Sequence, residues 1–230
     1  MDFDEVEKES DYMYSLVERI IDEVGPRMPC SLEEKKGALI MKEELEKTCD
    51  VVEIEPFRCH PKAFLGWIKL DVGLVLISIL LYLVNQIILS PILSSLLAIV
   101  SFMLVFLAIL IVWEEFFNYK EFIDPLFKEQ SSQNVIGRIN PSENPKKIII
   151  FSSHADSAIQ FNLLKKIGWG FIPIAFTGVI LMLIWTILSF ITMIILLLGL
   201  TALKGIFLSI TVWILIIGSP CFVALFFFIP

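Results

Sequence analysis

The chain has 230 residues, 57% of them hydrophobic, and a formal net charge of −7. That apolar share exceeds the roughly 45–50% of ordinary soluble domains. The acidic balance excludes nucleic acid as a partner, because such binders carry a basic footprint.

The charge is unevenly spread. Residues 1–63 are strongly charged, 64–113 are almost wholly apolar, 114–166 are charged again, and 167–230 are apolar with Lys204 as the exception. This pattern predicts an integral membrane protein with two stretches of a soluble part, 1–63 and 114–166, separated by a transmembrane hairpin. The opening MDFDEVEKES is acidic, whereas a secretory signal starts basic and turns apolar. The N-terminal stretch is therefore predicted to stay in the cytoplasm.

In the first stretch Met13, Leu16, Val17, Ile20, Ile21 and Val24 recur at helical spacing and predict an amphipathic helix with that stripe in a core. Gly25 and Pro26 end it. Ser31 and Glu34 form a capping box that opens a second helix with Ala38, Met41 and Leu45 on its inner face. Gly37 weakens that helix by about 1 kcal/mol relative to alanine. Val51–Phe57 alternates and predicts a half-buried strand with Glu53 and Glu55 toward water. Cys59 and His60 are half of a metal-ligand set, but no second pair completes it, so a loop beside the membrane is the preferred reading. The four cysteines, Cys30, Cys49, Cys59 and Cys221, form no CxxC pair and suit free thiols in a reducing compartment.

A membrane-crossing helix needs about 20 apolar residues. Residues 72–113 carry no charged side chain, and Asn85, Gln86, Ser90 and Pro91 mark a turn, which predicts spans near 69–89 and 92–113. The second apolar block predicts a long tilted span near 170–199 and another near 206–228. With four spans, Arg58, Lys62, Lys69, Lys120, Arg138 and Lys165 fall on one side and Lys204 on the other, so the positive-inside rule assigns the soluble stretches to the cytoplasm. Trp67, Trp113 and Trp169 fall near the same ends of their spans, the depth that suits amphipathic rings. No paired or repeated ionisable groups mark an ion path, so the spans read as an anchor in the lipid bilayer.

Between the apolar blocks, EEFFNYKEFIDPLFKE predicts an amphipathic helix. Asn134–Ile139 and Lys147–Ser152 predict two strands joined as an antiparallel hairpin by the turn-forming INPSENPKK. Ile148, Ile149, Ile150 and Phe151 are apolar on both faces, the pattern of a central strand under helices. That strand runs into His154-Ala155-Asp156-Ser157. A neutral imidazole is a common metal ligand, and a carboxylate on its other nitrogen fixes the tautomer. By itself His-x-Asp is a weak pattern, and an ordinary strand-end histidine explains it as well.

The order of motifs resembles that of the family twenty-eight zinc metallopeptidases, the co-catalytic aminopeptidase and glutamate carboxypeptidase type. The resemblance runs through Gly25-Pro26-Arg27, Pro29-Cys30-Ser31 with Glu33-Glu34, Asn134 to Gly137, and His154 to Ser157, with Cys30 where the pattern has glycine. It implies an α/β zinc-peptidase-like half domain with a mixed sheet, plus four transmembrane helices as in membrane-embedded members. It further implies that His154 ligates zinc, that Asp156 holds and orients the ring, and that a complete protein binds two zinc ions and a peptide substrate. The family's bridging aspartate and paired glutamates have no counterpart here. The expectation is thus an N-terminal portion of a membrane-anchored peptidase, inactive as a fragment, since a catalytic zinc takes about three protein ligands. The alternative is a non-catalytic membrane protein using a degenerate peptidase half as a structural or partner-binding module.

Overall fold

A computed structural model describes residues 3–228; residues 1–2 and 229–230, the outer ends of the first and last predicted stretches, lie outside the described residues. The chain divides into two units, Met1–Pro61 with Lys128–Ile159, and Lys62–Phe127 with Gln160–Pro230.

The first unit is built from α1 (Phe3–Glu23), α2 (Leu32–Leu45), β1 (Val51–Cys59) and β2 (Gln130–Arg138). Gly25, at φ +73°, closes α1 in the left-handed conformation that glycine adopts without cost. Ser31 caps α2, its Oγ accepting from the Glu34 N–H at 3.0 Å. The return bond of the capping box is shifted by one residue: Glu34 Oε2 accepts from the Cys30 N–H at 2.7 Å. Glu34 is buried, and its Oε1 accepts from Ser132 Oγ at 2.7 Å, so one carboxylate ties the start of α2 to β2. Gly37 has a structural reason: a Cβ there would meet Arg27 Cδ at 2.7 Å, so the missing side chain lets Arg27 lie against α2.

β1 and β2 pair antiparallel, Val51 opposite Arg138 through to Cys59 opposite Gln130. This corrects the predicted topology. The sheet has two strands among the described residues and is not mixed, and β2 takes β1 as its partner. Residues 147–152 form no strand: Ile148, Ile149, Ile150 and Phe151 are 77–93% exposed. A strand apolar on both faces needs cover on both, and the first unit offers a single ladder with α2 on it. For the same reason the α1 stripe is not a core face. Met13, Val17 and Ile21 are exposed, and α1 is tied to α2 by polar contacts instead. Glu44 accepts from Tyr12 Oη at 2.8 Å and Arg19 Nη1 at 3.2 Å. Glu53 and Glu55 do face water, but so does most of β1, which is more open than half-buried.

The second unit holds α3 (Ala63–Asn85), α4 (Pro91–Ile111), the short α5 (Asn162–Ile167), α6 (Phe171–Leu197) and α7 (Leu208–Phe226). Four stretches, Ala63–Asn85, Pro91–Phe117, Asn162–Leu197 and Thr201–Phe226, are long and apolar enough to cross a membrane, in agreement with the four predicted spans. α3 packs on α4, α4 on α6, α6 on α7, and α7 back on α3. Val75, Ile79, Tyr82, Val105, Leu181, Trp185 and neighbouring side chains fill the centre. Trp185 is fully buried, edge-on to Tyr82 with ring centroids 5.3 Å apart.

Polar side chains join these helices where an apolar medium favours internal hydrogen bonds. Ser78 Oγ donates to the Ser101 carbonyl at 2.7 Å, Ser101 Oγ donates back to the Ser78 carbonyl at 2.8 Å, and Trp185 Nε1 donates to Ser78 Oγ at 2.8 Å. At the turn between α3 and α4, Asn85 and Ser94 bond to each other, and Lys204 Nζ donates to the carbonyls of Asn85 and Ile88. Lys204 thus answers the carbonyls left open at a helix end. The predicted helix over EEFFNYKEFIDPLFKE is replaced by a π-helical turn at Val112–Phe117 and a 3-10 turn at Asp124–Leu126. Glu115 accepts from the Ile123 N–H at 2.8 Å, and Phe127 lies on Gly66. Those contacts fold the segment back within the second unit rather than letting it run on as a helix.

Candidate functional site: the His154 loop

Arg27 follows the glycine that ends α1, and its backbone and side chain grip the loop that carries the His-x-Asp motif. The Arg27 N–H donates to Ser157 Oγ at 2.9 Å, the Ser157 N–H donates to the Arg27 carbonyl at 2.7 Å, and Arg27 Nε donates to the Ala155 carbonyl at 3.0 Å. Arg27 Nη1 also donates to the Gly25 carbonyl at 2.8 Å, which holds the guanidinium in place. The loop is therefore positioned by the α1–α2 junction, and not by the end of a buried strand. Arg27 is the residue that motif reading passed over as a working part. Its signal was an arginine placed directly after a helix stop.

Within the loop, His154 Nδ1 lies 3.1 Å from Asp156 Oδ1. With Nδ1 donating to the carboxylate, the neutral ring carries its lone pair on Nε2, the nitrogen then able to meet a cation. The His154 side chain is 94% exposed and that of Asp156 30%. His154 and Ala155 line a groove of about 260 Å³ with Leu16, Val17, Ile20 and Met41. The exposed stripe of α1 is thus one wall of an apolar trough beside the imidazole.

The pair fits one corner of a zinc site: a solvent-facing imidazole whose second nitrogen is held by a carboxylate. Among the described residues no three His, Cys, Asp or Glu side chains gather closely enough to hold a metal ion. Cys59 and His60 belong to no such cluster among the described residues. Cys59 ends β1 with its sulfur 3.2 Å from that of Cys30.

A second ionisable group stands apart. Asp71, inside α3, is 6% exposed, and neither carboxylate oxygen has a hydrogen-bond partner among the described residues. It sits one residue outside the uncharged run, where the hydropathy pattern hides it at the edge of a span. Intramembrane carboxylates are expensive and normally face a partner or a cavity.

No family model matches this chain, and no curated protein or solved structure matches it either.

Proposed function

We propose that this chain contributes the first metal-binding corner of a membrane-anchored zinc metallopeptidase of the aminopeptidase type. The observation that carries the reading is the exposed His154 ring, backed at Nδ1 by Asp156, at the edge of an apolar groove on a loop clamped by Arg27. His154 binds the metal through Nε2. Asp156 holds the ring and its tautomer, and Arg27 keeps the loop against α1 and α2. The groove takes an apolar side chain of the peptide. Zinc, when bound, activates water for attack on a peptide bond. A catalytic zinc takes about three protein ligands, so His154 would need further ligands beside it to hold the ion. The four apolar helices form a multi-pass anchor in the bilayer, with both soluble stretches on the cytoplasmic side.

The test is made on the intact protein purified from its membranes in detergent. Hydrolysis of aminoacyl-arylamide substrates should be present and lost on chelation, and His154→Ala should abolish it. Asp156→Asn should weaken zinc affinity about 10–100-fold, the usual cost of losing a carboxylate behind a ligating histidine. Undiminished turnover in His154→Ala refutes the site.

The lack of a three-ligand cluster among the described residues favours one other reading. In it the first unit is a non-catalytic module that serves structure or partner binding. Absence of both zinc uptake and hydrolysis in the intact protein selects that reading.

A further inference from the structure

Cys30 and Cys59 are far apart in sequence and adjacent in space. Their sulfurs are 3.2 Å apart, both side chains are partly buried, and both are free thiols. Cys30 sits in the turn before α2 at φ +65°, a left-handed conformation that glycine adopts freely and a cysteine does not. Strain of this kind persists where the surroundings hold it. Here the turn is held by the Cys30 N–H bonded to Glu34 Oε2 at 2.7 Å. Cys59 ends β1, where the ladder to Gln130 fixes its backbone. Two anchored backbones thus present two sulfurs to each other. A disulfide has an S–S length of about 2.05 Å, so its formation asks for a closing movement of roughly an ångström.

We propose that Cys30 and Cys59 are a thiol-oxidation site that a low-molecular-weight disulfide converts to an intramolecular disulfide. One of the two cysteines, as its thiolate, attacks one sulfur of the small disulfide. A mixed disulfide forms on that cysteine, and the first small thiolate leaves and takes up a proton. The sulfur of the other cysteine then attacks the cysteine sulfur of the mixed disulfide as its proton passes to the departing group, the protein S–S bond forms, and a second small thiol leaves. Two protein thiols are oxidised and one small disulfide is reduced to two thiols, so electrons and protons balance. Burial first, and then the hydrogen bond to Cys59, push the Cys30 thiol up to about 12. The bond closes a loop containing α2 and β1, and staples the start of α2 to the far end of β1. In a reducing compartment the pair stays open, and oxidation closes it. The proposal is independent of the zinc reading, which gives neither cysteine a role.

The experiment treats the intact detergent-solubilised chain with oxidised glutathione, then alkylates the remaining thiols and measures intact and peptide masses. Two of the four cysteines should escape alkylation, the mass should fall by two hydrogens, and a Cys30–Cys59 linked peptide should appear and vanish with dithiothreitol. Cys30→Ala should instead retain glutathione on Cys59, and a Cys49→Ala, Cys221→Ala double variant should close the bond as the wild type does. Four alkylatable thiols after oxidation, lasting glutathione on wild-type Cys59, or a link through Cys49 or Cys221 overturns the proposal.

Discussion

Single side chains carry the first unit's order and the second unit's tension. Glu34 is buried but satisfied on both oxygens, by the Cys30 N–H and by Ser132 Oγ. Asp71 is equally buried and bonded on neither. Glu115 adds a like charge to its surroundings. An unpaired buried polar group costs about 1–3 kcal/mol by mutational measures. Asp71→Leu keeps the branched shape and removes the unpaired polar atoms, so it should stabilise the helical unit by a similar amount, read as a higher midpoint of thermal unfolding in detergent. A lower midpoint would mean that the carboxylate holds a proton or cation whose loss the helices feel. Hydropathy alone could not single this residue out, because a charge at the edge of a span normally reaches the headgroups. Only the packing of α3 shows that Asp71 is enclosed.

Among the elements, α3, α4 and α6 meet through hydroxyls as well as through the apolar side chains at their centre. The reciprocal Ser78–Ser101 bonds, with Trp185 Nε1 on Ser78 Oγ, bind three helices at one depth. Interhelical hydrogen bonds in membranes are worth about 0.6 kcal/mol on average and up to about 1.7 kcal/mol. Ser78→Ala removes the hydroxyl without adding bulk and leaves the Trp185 N–H without an acceptor. It should lower stability by about 1–2 kcal/mol, measured as the shift in midpoint of a dodecyl sulfate titration. An unshifted midpoint would remove this cluster from any account of helix association. The spacing of serines in the spans was visible in the sequence. Which serines face each other depends on helix rotation, which a nearly uniform apolar surface does not specify.

At the scale of the whole molecule, charge asymmetry makes the claim most open to test. Lys204 answers the carbonyls at the turn between α3 and α4, so the cation that the proposed topology puts opposite the soluble stretches is engaged with backbone. The positive-inside rule then rests on the many Lys and Arg of the other side. In a cysteine-free background, Ser90→Cys should react with a membrane-impermeant maleimide on intact cells, and Ser142→Cys should react only after lysis. The reverse pattern would turn the protein over in the membrane and move the His154 loop to the outer face.

Length and composition by themselves determined the four membrane-length helices, the presence of a turn around Gln86 and Pro91, the C-terminal end of α1 and the cap of α2. Each depends on local physics: apolar run length, a glycine with positive φ, a serine Oγ over a free N–H. The tertiary structure decided what depends on partners far apart in the chain. It paired β2 with β1 and left Ile148–Phe151 in the open, because a doubly apolar strand needs cover on two faces. It hung the His154 loop on Arg27, and brought Cys30 to Cys59. Such contacts close long loops, and neither periodicity nor spacing along the chain encodes which distant backbones will meet.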